Sequence, residues 1–100
     1  MKPYYAVIFT SKVSADLEDY AVAAKRMIEI AESSKGFLGV ESARSELGIT
    51  VSYWSDLTSI NEFKRNSEHK LAQSRGREKW YLGYRVRICK VERDYDFGML

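Results

Sequence analysis

The chain has very few of the residues that build disulfides, metal clusters or chain breaks. Its 100 residues include one cysteine, one proline and one histidine. The lone Cys89 has no second thiol for an internal disulfide or a metal cluster, which fits a reducing cytoplasm. We expect Cys89 to be a small buried residue on a strand, and we predict no metal site.

Long apolar runs and blocks of one charge are missing as well. The apolar run from Tyr4 to Phe9 is too short to span a membrane, and no signal-peptide cleavage pattern follows it. Sixteen Lys and Arg oppose fourteen Asp and Glu, and Glu62, Glu68 and Glu78 interrupt the densest basic region. The sequence therefore predicts a cytoplasmic protein with neither a membrane nor a nucleic acid as partner.

Nucleotide-binding and zinc motifs are also absent, so NAD, ATP and structural zinc have no support. The apolar content of 45% indicates one compact domain over residues 1–100. A domain of this size buries only about two thirds of its unfolded surface. Association with a second copy is therefore an expected source of stability.

The order of strand and helix signals predicts an α+β domain with a ferredoxin-like βαββαβ fold and a four-stranded antiparallel sheet. Gly36 is the expected left-handed exit of the first helix, and Asp56 is the expected cap of the second. The predicted elements are strand Tyr4–Ser11, a helix capped by Ser14 or Asp16 and ending near Ser34, strands Phe37–Ser45 and Ile49–Trp54, a helix from Asp56 to Lys79, and strand Trp80–Glu92.

Two helices cover only one face of such a sheet, so the other face must be polar, bind a ligand or pack on a second sheet. We expect alternate residues among Tyr84, Val86 and Ile88 on this open face, together with Tyr4 or Tyr5 and Phe37 or Leu38. The sequence thus predicts a homodimer that forms through the sheets.

A stripe of polar and aromatic residues marks the second helix. His69, Gln73, Gly76 and Trp80 follow one another at steps of four, three and four, which places them on one side of a helix. A titratable ring, an amide and an indole together are typical of a pocket wall for a small aromatic molecule. Core packing stays open as the alternative for Trp80.

Two residues are candidates for catalysis. His69 is the group best able to accept a proton near neutral pH, with a solvated helical turn as the alternative. The Asn61 carboxamide can hold an enol or a peroxide oxygen, with an exposed helix position as the alternative.

Five residues are candidates for substrate binding. The indole rings of Trp54 and Trp80 can stack a planar ligand, and the phenols of Tyr53, Tyr81 and Tyr84 can hydrogen-bond its hydroxyls. Arg77, like Arg85 and Arg87, suits an anionic oxygen on a ligand, although arginines on a last strand also form ion pairs at dimer edges. The five are Trp54, Gln73, Arg77, Trp80 and Tyr84.

Three segments of the chain resemble the antibiotic biosynthesis monooxygenase superfamily. They are the GFLGVES stretch from Gly36, the SYW stretch that ends at Trp54, and the helix from Asn61 to His69. The EHKLAQSRGREKWY stretch is typical of an uncharacterised subgroup. The resemblance implies a dimeric α+β barrel, in which two ferredoxin-like sheets pack face to face and each protomer has a cavity between sheet and helices.

The resemblance also implies a class of chemistry. The superfamily includes cofactor-free oxygenases of polycyclic phenols, which use an Asn and a Trp in the cavity, and haem-degrading enzymes, which add a His as iron ligand. By approximate placement that Trp position falls at Phe63, and the His position falls nearer Gln73 than His69. The implied function is a cofactor-free monooxygenase whose small phenolic substrate lies between the sheet and the second helix. Haem binding, with His69 as iron ligand, and a non-catalytic module that binds an aromatic metabolite remain as alternatives.

Overall fold

The computed structural model describes the backbone of residues 2–74 and 76–100 and the side chains of residues 2–68 and 78–100. The element order confirms the βαββαβ prediction, with a short third helix between the second helix and the last strand. The elements are β1 (Tyr4–Val13), α1 (Tyr20–Glu32), β2 (Phe37–Arg44), β3 (Gly48–Trp54), α2 (Leu57–Ser74), α3 (Gly76–Trp80) and β4 (Tyr81–Val91).

The four strands form one antiparallel sheet in the order β2-β3-β1-β4. β1 lies inside the sheet, and β2 and β4 form its edges. Val7 in β1 lies opposite Ser52 in β3 and opposite Ile88 in β4. Because directly opposed residues point to the same side of a sheet, this register assigns the paired strand residues to one or the other of the two faces.

The core lies on the side of the sheet that the helices cover, called here the helix side. Trp54 is fully buried, and its ring contacts Phe37 and Phe63 with centroids 5.3 and 5.0 Å apart. Ala31 of α1 and Ile60 of α2 complete this cluster. The aromatic and aliphatic side chains therefore fill the space between β3 and the two long helices.

Two local predictions about helix ends are confirmed. Gly36 has a φ of 84°, and its carbonyl accepts a hydrogen bond of 2.8 Å from the Ser55 amide. The Asp56 carboxylate accepts a 2.7 Å hydrogen bond from the Ser59 amide, as a helix cap does. That amide, together with the Ser55 and Ser59 hydroxyls, holds the pKa of Asp56 below its usual value.

The predicted start of α1 is wrong. The helix begins at Tyr20, after Asp19 with a φ of 64°, and no side chain caps it. Ser14 instead donates a 2.7 Å hydrogen bond from its hydroxyl to the Lys79 carbonyl, and its amide donates to the Trp80 carbonyl at 2.6 Å. The serine therefore fastens the β1–α1 loop to the end of α3, just before β4.

The predicted composition of the open face is also wrong for β4. Val7 packs against the core, so its partner Ile88 lies on the helix side, as do Val86 and Tyr84 by alternation. The alternating sequence alone does not show which set of alternate β4 residues faces the helices, because that depends on how β4 pairs with β1. Cys89 lies on the open face and is exposed, not buried as expected.

Aromatic and charged side chains occupy the open face. The rings of Tyr4 and Tyr53 meet edge to face at 6.0 Å, and the Tyr53 hydroxyl donates a 2.7 Å hydrogen bond to Glu41. The Tyr4 hydroxyl donates to the carboxylate of Asp94, just beyond β4. These bonds raise the pKa of both phenols. Among the described residues, no helix is both long enough and apolar enough to cross a bilayer.

Candidate functional site

A row of residues crosses the helix side of the sheet near one end of the strands. Ser11 of β1 lies opposite Gly48 of β3 and opposite Tyr84 of β4, and Gly48 in turn lies opposite Arg44 of β2. We call Arg44, Gly48, Ser11 and Tyr84 the polar row. The row places two small residues between a guanidinium and a phenol. The sheet surface is therefore depressed at the centre of the row, and the two ends carry hydrogen-bond donors.

The Arg44 side chain lies across Gly48. Its Nη2 donates a 2.6 Å hydrogen bond to the Ser11 hydroxyl oxygen, and Ser11 is 2% exposed. A Cβ atom added at Gly48 would collide with the guanidinium carbon and Nη2 of Arg44. The glycine is therefore what allows Arg44 to reach the sheet centre. Among the described side chains, no carboxylate lies within ion-pair distance of Arg44.

An aromatic cluster borders the polar row on its β4 side. Phe9 and Tyr84 stack with ring centroids 5.2 Å apart, and Tyr81 meets each of them edge to face at about 5.6 Å. Tyr20 of α1 closes the cluster against Tyr81 and Trp80. The Tyr84 side chain stays partly accessible, with 41% of its surface exposed. A planar ligand could therefore lie against the accessible part of this cluster beside the polar row.

Burial of Tyr81 determines what its phenol can do. Burial is the main cause that raises the pKa of Tyr81 well above its ordinary value, and Tyr20 adds to the effect. The positive charge of Arg44 acts in the opposite direction and is outweighed. At neutral pH Tyr81 is thus a hydrogen-bond donor and not a phenolate base.

Both predicted ligand-stacking indoles are buried in this structure. Trp54 has no exposed surface, and its Nε1 donates to the Ser52 hydroxyl at 2.9 Å. Trp80 is 2% exposed, and its Nε1 donates to the Glu18 carbonyl at 2.7 Å. Neither indole offers a free ring face or a free donor to a ligand, although Trp80 supports the aromatic cluster through Tyr20.

Asn61 lies on the exposed side of α2. It lines an open depression of about 490 Å³ with Thr58, Lys64, Arg65 and Glu68 of the same helix. This surface is formed by side chains of one helix and is separate from the polar row. A second open depression, of about 650 Å³, lies along α1 and includes Trp80. We place the candidate site on the polar row because it combines a guanidinium held by the buried Ser11 with an accessible aromatic ring.

Three predicted site residues lie outside the described side chains. His69 and Gln73 belong to α2, and Arg77 belongs to α3. Their proposed roles stay predictions. Of the seven predicted residues, the structure therefore places Tyr84 at the candidate site and Trp80 behind it.

The sequence analysis missed Arg44, Gly48, Ser11 and Phe9. Ser11 and Arg44 are 33 positions apart, and they meet only because β1 and β2 both flank β3. The one available signal in the sequence was a glycine at the start of β3, four positions after the arginine that ends β2. Among the described residues, no cluster of three or more His, Cys, Asp or Glu could hold a metal ion.

Comparison with known sequences identifies a close relative. The uncharacterised protein YqjZ of Bacillus subtilis (strain 168) is 47% identical over 93 residues, which cover 91% of this chain and 82% of that protein. No protein-family model matches the chain.

Solved structures share the fold at low sequence identity. PA3566 from Pseudomonas aeruginosa is 20% identical, with a TM-score of 0.69 over 95% of this chain and 98% of that chain. SnoaB from Streptomyces nogalater, a cofactor-independent oxygenase, is 9% identical, with a TM-score of 0.70 over 94% of this chain and 97% of that chain. These likenesses confirm the expected fold. The chain belongs to the family of YqjZ, and its fold is that of the antibiotic biosynthesis monooxygenase-like proteins.

Proposed function

We propose that the protein is a monooxygenase of the antibiotic biosynthesis type that oxidises a small phenolic substrate on the helix side of its sheet. The observation that carries this proposal is the polar row, where Arg44 lies over Gly48 without a described acidic partner and beside an accessible aromatic ring. The shared fold with the cofactor-independent oxygenase SnoaB supports the reaction class. Fold alone does not define the substrate.

The polar row and the aromatic cluster together suit a phenol as substrate. The ring of the substrate lies against Tyr84, while its oxygen points to the guanidinium of Arg44. Tyr81, which keeps its proton, supplies a further donor at the edge of the site. A charged donor in a partly desolvated site stabilises a phenolate more than a phenol and so lowers the pKa of the bound substrate.

Deprotonation is the step that makes oxidation without a cofactor reasonable, because a phenolate gives up an electron to O2 more readily than a phenol does. In this proposal His69 takes the phenolic proton. A phenol with a free para carbon and one O2 then yields a quinone and one water, so the carbon loses its hydrogen and gains one oxygen atom. The second oxygen atom leaves as water, and no external reductant is needed.

Oxygen uptake by the purified protein, with a panel of phenols and hydroquinones, tests the proposal. Arg44→Ala and Gly48→Ala both remove the guanidinium from Ser11, so we expect each to lower kcat/KM about 10- to 100-fold, the value of one charged hydrogen bond. Arg26→Ala is the matched control, since Arg26 is an exposed arginine on α1 paired with Glu29 at 3.6 Å. Equal activity in all three variants would refute the role of the polar row.

The same assay separates the alternative functions. His69→Ala should abolish oxygen uptake and leave the circular dichroism spectrum unchanged. Hemin titration of the wild type should produce no Soret shift if haem plays no part. Saturable binding of a phenol without oxygen uptake would instead indicate a binding module.

We further propose that the protein is a cytoplasmic homodimer in which a second copy covers the open face. Support comes from the aromatic pair of Tyr4 and Tyr53 and the exposed Ile49 on that face, and from the free thiol of Cys89. Sedimentation equilibrium measures the mass directly. A monomer at all concentrations would contradict this part of the proposal.

A further inference from the structure

Arg44 carries a positive charge that no described acidic side chain balances. The sequence of residues 69–77, outside the described side chains, contains no Asp or Glu either. The guanidinium lies over the buried Gly48 and donates to the buried Ser11, so one side of it packs against the sheet. Arg44 is otherwise exposed on β2, and its other N–H groups are open to a ligand. An arginine anchored in this way suits an anion with two oxygens, which its planar fork of donors matches.

An aromatic wall stands beside this charge. Ser11, which holds the guanidinium, lies directly opposite Tyr84, and the Tyr84 ring stacks on Phe9 at 5.2 Å. The Arg44 charge also acts to lower the pKa of Tyr81, against the larger effect of burial, as a nearby cation does. Neighbouring strands are about 4.8 Å apart, so roughly one strand spacing separates the charge from the wall. This separation suits an acid group that is bonded directly to a ring.

We propose that the candidate site recognises an aromatic carboxylate, and that the substrate of the proposed oxygenase is an ortho-hydroxy aromatic acid. The carboxylate binds the guanidinium of Arg44, and the ring lies against Tyr84. The hydroxyl on the neighbouring ring carbon shares the same edge of the molecule, so its oxygen also points to Arg44. The fate of the ring rests on the proposed function. Recognition of the carboxylate does not, because binding requires no reaction with oxygen.

The position of the hydroxyl follows from the reaction. The proposed oxidation adds oxygen at the carbon para to the hydroxyl, so this carbon must be free. In a 4-hydroxy acid the carboxylate occupies that carbon, and the hydroxyl lies at the far end of the ring from Arg44. An ortho-hydroxy acid leaves the para carbon free. In water its carboxylate holds the phenolic proton through an internal hydrogen bond, and Arg44 competes for the same oxygens and so makes the proton easier to remove.

Isothermal titration calorimetry under nitrogen tests the recognition, with salicylate as the probe and salicylamide as a neutral molecule of the same shape. The wild type should bind salicylate about 10- to 100-fold more tightly than salicylamide, the value of hydrogen bonds between charged groups. Inorganic phosphate at the concentration of salicylate should not displace it, because phosphate has no ring to lie against Tyr84. In air, salicylate should support oxygen uptake, and 4-hydroxybenzoate should bind without uptake.

Variants of Arg44 assign the preference to its guanidinium. Arg44→Ala should weaken salicylate binding about 10- to 100-fold and change salicylamide binding far less, so that the preference disappears. Arg44→Lys keeps the charge but loses the planar fork, so it should retain only part of the preference. Arg26→Ala, which removes an exposed arginine of α1, should bind both probes as the wild type does. Circular dichroism of each variant verifies that the sheet and the helices have formed.

Three binding results would overturn the recognition: no preference for salicylate over salicylamide in the wild type, a preference that survives in Arg44→Ala, or displacement of salicylate by an equal concentration of phosphate. Oxygen uptake with 4-hydroxybenzoate but not with salicylate would overturn the ortho assignment. Preferential binding of salicylate without any oxygen uptake would count against the proposed function and leave the recognition intact. Uptake with neutral phenols, in a protein that shows no carboxylate preference, would count against the recognition only.

Discussion

Replacing Gly36 by alanine should destabilise the fold far more than the same change at Gly39, although the two glycines are three positions apart. Gly36 has a φ of 84°, a conformation that costs an alanine about 1–2 kcal/mol. A Cβ atom there would also lie 2.7 Å from Ser59 Cβ and 2.8 Å from Ser55 Oγ. Relieving that overlap costs roughly a further 1–3 kcal/mol.

The sum is about 3 kcal/mol, which lowers Tm by roughly 12–24 °C for a domain of this size. Gly39→Ala is the matched control, because no atom lies within 4 Å of its added Cβ. That change should stay within about 1 kcal/mol of the wild type. Thermal and urea unfolding followed by circular dichroism, at one protein concentration, measures both variants.

A double-mutant cycle separates the two causes. Ser59→Gly together with Ser55→Gly removes both colliding side chains, so the effect of Gly36→Ala in that background should fall to the backbone cost of about 1–2 kcal/mol. If Gly36→Ala unfolds within 1 kcal/mol of the wild type, the left-handed geometry and the close packing against α2 are both refuted as stability determinants.

Two further predictions concern pH and surface accessibility. The pKa of Asp56 is lowered in the folded state, so the contribution of its carboxylate to the free energy of unfolding is present above the unfolded pKa near 3.9 and is lost as pH falls through the folded value. The Tm difference between wild type and Asp56→Ala should therefore be constant from pH 7 to about pH 5 and shrink below pH 4. A difference that grows on acidification would contradict the cap. Cys89 is exposed on the open face of a single chain, so its rate of labelling by a thiol reagent should fall several-fold as protein concentration rises through the dimer range; a rate independent of concentration would argue against a covered open face.

Local chemistry made the helix ends predictable where the partners are close in sequence. Asp56 caps an amide three residues later, and Gly36 has the conformation that glycine tolerates best. Ser14 has the same capping chemistry, but its hydroxyl bonds to a carbonyl 65 positions away. No local rule distinguishes the two cases, because the competing acceptor exists only after the sheet has formed.

The candidate site was harder to predict than the fold for the same reason. Tyr84 was expected as a substrate contact, yet its side of the sheet was assigned wrongly, since alternation defines two faces without saying which one the helices cover. Arg44 and Ser11 came together through strands β2 and β1, which are not neighbours. The indoles carried the strongest sequence signal for a ligand, but the structure uses their ring faces and donors for internal packing.

The pairing of β1 with β4 joins the first strand of the chain to the last. Tyr4 lies opposite Val91, and Phe9 lies opposite Val86. During synthesis, β1 therefore waits for nearly the whole chain before it gains its second neighbour, and β2 and β3 must form their hairpin on an incomplete sheet. Such long-range closure slows folding and exposes a strand edge to other nascent chains. Stalling of translation shortly before β4 should consequently leave this protein a substrate for chaperones.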